Sequence, residues 1–522
     1  MFLLAAAFAS PAPAGFERWS WALRQAREQH ADPHWRARLG ADAAGIRVVV
    51  ELEPGFELPG DLEVQAASPG AVQLWLSADQ LERLDQIAVL PGVRRLRSPW
   101  QAEPKSELTE GYTATMLQDW HKLGLDGRGV YVGVVDVGFD NLAGLEGEAP
   151  DPEVLDESRG NPSSEHGTAV TEIIYDFAPG ADYYLATFAT DVELCAILDE
   201  MAAAGVQLVN GSIGFDNLWH PDGSSLLSQC VDNAALRGLT YVAAAGNEAN
   251  KYRIGELSWG AEPGRLALGG VEELQVYSFF GEVDLRFRWS EPMAGAAVDV
   301  DLLVLNDDGS ECGRSQEPQE GDGYPVEVVH VYGCSDSVTA YLTSEDDPSG
   351  VTGYFYAASG VPESLRTAGE TLTLPGDAAG AVTVGAWSWF TDEVPSWSSE
   401  GPTYDGRVKP DVIAPTAVTT ATYGYRRFDG TSAAAPHATG LAALYLEATR
   451  GGEGPIALKN WLKAEARDWG LPGPDRSSGS GVLTGEAPPV APCGCRRGAS
   501  SLVLGGPTLG GFWWLGRRRR RG

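Results

Sequence analysis

The sequence predicts an α/β protein: a parallel sheet covered by helices on both faces, carrying an inserted β-sandwich and a small N-terminal α/β module. Three observations predict it. From about Gly111, Val- and Ala-rich strands such as "GVYVGVVDVGFD", "ADYYLATF" and "LTYVAAAGNEA" alternate with helical stretches such as "GTAVTEIIYDFA" and "DVELCAILDEMAAAG". Nearly continuous apolar strands separated by helices belong to a sheet buried on both faces. Between about Lys251 and Pro375 the helical period vanishes, and "VDLRFRWSEP", "AVDVDLLVLND", "PVEVVHVYG" and "VTAYLTSE" read as antiparallel strands with Gly/Asp/Asn turns. The α/β pattern then resumes with "AVTVGAWS".

At 522 residues the chain exceeds one ordinary domain of roughly 100–200 residues. The expected divisions are a signal peptide over 1–14, the N-terminal module over 15–104, the main body over 105–250 and 376–485, the insert over 251–375, and a linker with tail over 486–522. The signal reading rests on the apolar stretch Phe2 to Ala9 and an A-x-A site at Ala12 to Ala14, although no Lys or Arg precedes Arg18. In the module, "WSWALRQAREQH" and "ADQLERLDQIAVL" read as helices, while "GIRVVVELE", "AVQLWLS" and "GVRRLRSP" read as strands. His30 and His34 have metal-ligand spacing, but Pro33 between them marks a helix end.

The net charge of −34, from 38 basic against 72 acidic residues, argues against nucleic acid or anionic lipid as partner of the body. The one dense basic run, Arg517 to Arg521, lies in the tail. Six cysteines fall in three local pairs. Cys195 with Cys230 and Cys312 with Cys334 suit disulfides in an oxidising compartment, while Cys195 equally suits a buried thiol on an apolar helix.

In sheets of this kind the site lies beyond the carboxyl ends of the strands. Asp136 closes the strand "VYVGVVD", His166 opens the helix "HGTAVTEII", and Ser432 opens the helix "SAAAPHATG". An acid, a histidine and a serine so placed can fix an imidazole tautomer, move a proton and attack a carbonyl. The N–H of Ser432 at a helix N-terminus is one oxyanion donor, and Asn247, at the glycine turn after "LTYVAAAG", is the expected second.

The blocks "GVVDVGFD", "EHGTAV", "AAAGNEA" and "DGTSAAAPHATG", in that order, resemble the subtilases, the subtilisin-like serine endopeptidases. The resemblance covers about Gly111 to Gly485 apart from the insert. It implies a subtilisin-like fold, catalysis by Asp136, His166 and Ser432 through an acyl-enzyme, Asn247 in the oxyanion hole, and no cofactor for the chemistry. "VNGSIGF" resembles the family's substrate strand, which implies that Ser212 and Gly214 pair with substrate backbone. "SSEGPTYDGRVKPDVIAP" resembles the segment preceding the serine block. The 15–104 module resembles a subtilase propeptide, implying a zymogen cut between Ser98 and Glu110. The tail, with its Gly-Cys motif, apolar segment and arginine cluster, resembles the tripartite sorting tag of myxobacterial surface proteins. That implies outer-surface anchoring through Cys493 or Cys495.

Two features depart from the family. The insert begins just after Asn247, where subtilases have a short wall of the primary specificity pocket, and is expected to overhang the cleft. "ATFATDVELC" lacks the glycine usual in the strand for more distant substrate residues. His121 and His437 read as structural, and His220 and Asp222, in the loop after the substrate strand, as a solvated loop, with a place lining the cleft as the alternative. The "NDDG" and "EDD" clusters admit a structural calcium ion without completing a loop motif. The expectation is a secreted or surface-displayed serine endopeptidase acting on protein or peptide substrates. The alternative is a catalytically silent surface binding protein that uses the same body as a scaffold.

Overall fold

The computed structural model describes residues 45–485, apart from short gaps at 57, 69, 78–79, 81, 98–107, 146, 162 and 322. The expected signal peptide, His30, His34 and the tail with Cys493 and Cys495 lie outside the described residues, as does most of the expected cleavage segment. The chain divides into two compact units, Met1–Lys105 and Ser106–Gly522.

The first unit is a four-stranded antiparallel sheet of β1 (Gly45–Leu52), β2 (Glu63–Ser68), β3 (Ala71–Ser77) and β4 (Val93–Arg97), in the order β2-β3-β1-β4. The helix Arg83–Ala88 closes it, burying Leu84 and Ile87 with Val48, Val50, Leu74 and Leu76. Helical periodicity sets that face, and strand alternation sets the other.

The second unit is built on β5 (Tyr131–Asp136), β6 (Val154–Asp156), β7 (Asp182–Thr187), β8 (Leu208–Gly211) and β9 (Thr240–Ala244). A second sheet follows, of β10 (Tyr252–Trp259), β11 (Arg265–Leu268), β12 (Leu274–Tyr277), β13 (Glu282–Trp289), β14 (Asp301–Asn306), β15 (Glu311–Ser315), β16 (Val326–Tyr332), β17 (Ser337–Thr343) and β18 (Thr352–Ala357). The chain then returns through β19 (Val382–Ser388), β20 (Val412–Thr416), the hairpin β21 (Val418–Thr420) and β22 (Gly424–Phe428), β23 (Ala466–Arg467) and β24 (Val482–Leu483).

The first sheet runs β23-β24-β20-β19-β9-β8-β5-β7-β6, parallel throughout except at β23/β24. Alternate residues of one strand feed different cores: Val132 and Val134 face the helices His166–Phe177 and Thr431–Thr449, and Val135 faces Asp191–Ala204 and Leu226–Leu236. A disulfide, Cys195–Cys230, ties the latter two helices, and Cys312–Cys334 closes a second one in the antiparallel sheet. Cys195 is thus oxidised and not a free buried thiol.

The helix Thr431–Thr449 is buried from Thr431 to Leu446, and its run of alanines lets it pass through the core. Pro436 inside it has no N–H, so the carbonyl of Ser432, four residues back, has no helical donor. Ser212 Oγ donates to that carbonyl instead, at 3.1 Å.

The antiparallel sheet bends at β10, which pairs with β18 along Tyr252–Glu256 and with β11 along Leu257–Trp259. Leu285, Phe287 and Phe355 from one side meet Leu302, Val304, Ala340 and Leu342 from the other in one core. Past Ala357 the chain rejoins the body before Pro375: Thr373 N donates to Ala245 O at 3.0 Å, and Leu374 and Phe215 exchange backbone bonds at 3.0 and 3.1 Å. Among the described residues no helix is long and apolar enough to cross a membrane.

Candidate active site

Asp136, the last residue of β5, is fully buried. His166 Nδ1 lies 2.9 Å from both of its carboxylate oxygens, and Val137 N donates to Oδ1 at 2.8 Å. Gly167 permits this approach. A Cβ there would meet Gly138 O at 2.6 Å and Asp136 Cβ at 2.8 Å, so no larger residue lets the His166 helix start against this strand. Burial pulls the imidazole pKa down from 6.5, but the Asp136 charge and hydrogen bond outweigh it and the net displacement is upward.

One wall beside His166 is the Phe428 ring, edge-on with centroids 5.6 Å apart, and Tyr423 stacks on Phe428 at 5.1 Å. The β21/β22 turn that carries Tyr423 is held from the His166 helix. Glu172, nearly inaccessible, accepts from Ala421 N at 2.5 Å, Thr422 N at 3.2 Å and the Thr422 hydroxyl.

Ser432 follows Gly430 and Thr431 into the first turn of its helix, where N–H groups have no intrahelical acceptor. Its hydroxyl donates to Ser212 O at 3.0 Å. Together with the Ser212 hydroxyl on the Ser432 carbonyl, this makes a reciprocal pair. Asn210 steadies it, donating to Ser212 Oγ at 2.9 Å and accepting from Thr439 Oγ1 at 2.9 Å. No hydrogen bond joins Ser432 Oγ to His166 among the described residues.

Asn247 is half-buried in the turn after β9. Its Oδ1 accepts from Thr431 N at 2.9 Å and Thr431 Oγ1 at 3.1 Å. Fixing the carbonyl end leaves Nδ2 as the donor end, one residue from Ser432. Asn247 and Ser212 thus both adjoin the Ser432 turn. Gly214 lies further along and faces Thr373: a Cβ on Gly214 would meet Thr373 Oγ1 at 2.2 Å, and one on Gly246 would meet Thr373 Cγ2 at 2.2 Å. Thr373 therefore fills the slot between the Ser212–Gly214 segment and the Asn247 turn. Sequence reasoning missed it, because its only local mark is its place between two strand patterns just before Pro375.

The remaining histidines separate cleanly. His121 bonds Tyr112 OH at 3.0 Å and Phe177 O at 2.8 Å. His437 bonds Ala433 O at 2.7 Å and Thr109 Oγ1 at 3.1 Å, and burial takes its pKa down to about 3. His220 corrects an expectation. It is 4% exposed, stacked on Tyr404 at 4.3 Å, and no part of a solvated loop. The flanking "KPD" run is also buried: Lys409 Nζ lies 2.7 Å from Asp411 Oδ2, with Lys459 at 3.3 Å and Lys463 at 3.5 Å from the same carboxylate. Burial opposes its ionisation, yet Lys409 and Lys459, with the Thr383 N–H, take the Asp411 pKa down to about 2.

Among the described residues no group of three or more His, Cys, Asp or Glu side chains is arranged to hold a metal. In the two acidic clusters, Asp308 and Asp347 instead accept from the N–H and hydroxyl of Ser310 and Ser349 two residues on.

Residues 327–481 match the model of the subtilase family. The match takes in Ser432 and Thr373, opens inside the antiparallel sheet, and does not reach Asp136, His166, Ser212 or Asn247. Among solved structures, the Clostridium perfringens CspB protease is similar at 18% identity and a TM-score of 0.53, over 72% of this chain and 97% of that one. A lanthipeptide protease (14% identity, TM-score 0.41, 72% of this chain and 92% of that one) and MycP1 with its N-terminal propeptide removed (18%, 0.39, 72% and 94%) also match. The fold of the body is that of a subtilisin-like protease.

Proposed function

We propose that the protein is a secreted serine endopeptidase that hydrolyses peptide bonds through an acyl-enzyme. Asp136, His166 and Ser432 form its triad, and Asn247 Nδ2 with Ser432 N–H its oxyanion hole. The observation that carries this reading is the Asp136–His166 pair, in which His166 opens a helix packed against the Ser432 helix through Phe177 and His437, whose rings lie 5.4 Å apart. The match of residues 327–481 to the subtilase family supports a serine peptidase.

Asp136 holds the proton on His166 Nδ1 and leaves Nε2 as the base. In the free protein the Ser432 hydroxyl rests on the Ser212 carbonyl. A substrate amide pairing with that carbonyl competes for the acceptor and releases the hydroxyl toward His166. Nε2 takes the hydroxyl proton as Ser432 attacks, the two donors hold the oxyanion, and the imidazolium returns its proton to the leaving amine. Water then repeats the sequence on the acyl-enzyme. Ser212 and Gly214 align the substrate backbone, and the chemistry calls on no cofactor. A structural calcium ion is an accessory to be tested by chelation.

Two disulfides support maturation in an oxidising compartment, and the separate N-terminal unit supports synthesis as a zymogen. The net charge of −34 favours protein or peptide substrates over nucleic acid. Anchoring at the outer surface through the tail completes the proposal. A silent binding protein is the second reading, favoured by the bond of Ser432 to Ser212 and not to His166.

The deciding experiment treats the full chain and its Ser432→Ala variant with casein and a fluorophosphonate. Cleavage and labelling confined to the unaltered chain support the peptidase. Inertness of both, before and after limited proteolysis, supports the binding protein.

A further inference from the structure

The antiparallel sheet presents a wholly buried cation to the segment that follows Ser212–Gly214. Arg288, in β13, is 1% exposed, and among the described residues it forms no salt bridge. Its Nε donates to Asn217 Oδ1 at 3.1 Å, Nη1 meets His220 Nδ1, and the guanidinium lies over the Tyr354 ring at 4.0 Å. Burying a charge without a counter-ion is unfavourable unless every donor is met by a fixed acceptor or an aromatic face.

Those acceptors are supplied by the loop that continues the Ser212–Gly214 segment. Asn217 adopts a left-handed φ of 49° and donates Nδ2 to Arg286 O at 3.0 Å and Tyr354 O at 2.9 Å, one carbonyl from each of two paired strands. His220 Nε2 donates to Glu291 O at 2.8 Å, which leaves Nδ1 as the acceptor for Arg288. Burial and the neighbouring guanidinium hold this imidazole neutral down to about pH 4. Arg286 adds a bond to Asp216 O at 2.7 Å.

We propose that Arg288 is a positioning residue for extended substrates. By fixing Asn217 and His220 it sets the course of the loop leaving Gly214, and with it how firmly a peptide is held along Ser212–Gly214. The inserted sheet is then a structural part of the cleft and not an appended module. This rests on the peptidase reading.

The test compares the full chain with Arg288→Met, and with His220→Gln as a second variant should the first fail to fold. Fluorophosphonate labelling reads Ser432 alone, peptides of two to eight residues read the cleft, and amide hydrogen exchange over residues 216–225 reads the loop without any need for activity. The expected result is a roughly tenfold rise in KM for the longer peptides, with kcat and labelling within about threefold, no change for the shortest peptide, and faster loop exchange. Arg288→Lys, which keeps the charge without the fork, should recover only part of the loss. Unchanged KM at every length, unchanged exchange, or a parallel fall in labelling and kcat would overturn the proposal. An unaltered chain that neither labels nor cleaves would overturn the peptidase reading itself, whatever the exchange.

Discussion

The parallel sheet and the antiparallel sheet inserted into it treat polar residues in opposite ways. In the parallel sheet Asp136 stands at a strand end, and Ser212 and Asn247 in the turns just beyond strand ends, while the strand interiors carry no charged side chain. In the antiparallel sheet Arg286 and Arg288 sit mid-strand, half- or wholly buried, and act on a loop belonging to the other sheet. Polar groups at strand ends can meet a substrate; those in strand middles can only shape what meets it. Substitutions in the first region should therefore change turnover, and those in the second should change binding.

The strongest attempt to break this contrast is Asp136→Asn. It keeps the shape of the site but loses the tautomer control over His166, and kcat should fall by about ten-thousandfold with folding intact, as judged by circular dichroism. A merely modest loss would place the working base elsewhere.

The placement of the candidate residues was legible because it coincides with local punctuation: the end of an apolar strand at Asp136, and helix starts at His166 and Ser432. Asn247 was legible for the same reason, at a glycine turn. Thr373 and Arg288 were not, because each is defined by residues far off in the chain, Gly214 and Gly246 for the first and Asn217 and His220 for the second. "VDLRFRWSEP" reads correctly as a strand, yet alternation alone calls its arginines solvent-facing. Only the approach of Asn217 and His220 makes them internal.

Asp411→Asn probes stability in the parallel sheet, removing an anion shared by Lys409, Lys459 and Lys463. The loss should be about 3–5 kcal/mol by denaturant titration, with any remaining activity per folded molecule unchanged. Because the folded-state pKa lies below the ordinary carboxylate value, this stability is present above that value. It should drain away as pH falls toward about 2.

Asn247→Ala should cost about 3 kcal/mol in the transition state, expressed in kcat while KM stays level. A change confined to KM would move Asn247 from oxyanion stabilisation to substrate binding.

The pH profile of kcat/KM should rise through a single ionisation above 6.5, since His166 must be neutral to act and Asp136 favours its charged form. The same raised pKa stabilises the fold in acid, and that contribution is lost as pH climbs through it. Asp136→Asn should flatten the stability dependence.

The smallest expected effect belongs to Thr373→Gly. Emptying the slot between Gly214 and Gly246 should shift preference toward bulkier residues on the acyl side of the cut bond, by roughly tenfold in relative kcat/KM. An unaltered preference across a peptide library would exclude Thr373 from the specificity pocket.

Pro436 has a reach that its position conceals. Because it withholds one N–H, the Ser432 carbonyl is met by the Ser212 hydroxyl and not by its own helix. Replacing it with alanine would give that oxygen a second donor, which its two lone pairs can take, and so draw the first turn toward regular helical geometry. On the proposed peptidase reading, a single substitution four residues from the serine would then re-aim its turn and lower kcat, so the irregularity of the central helix would itself be a working part of the site.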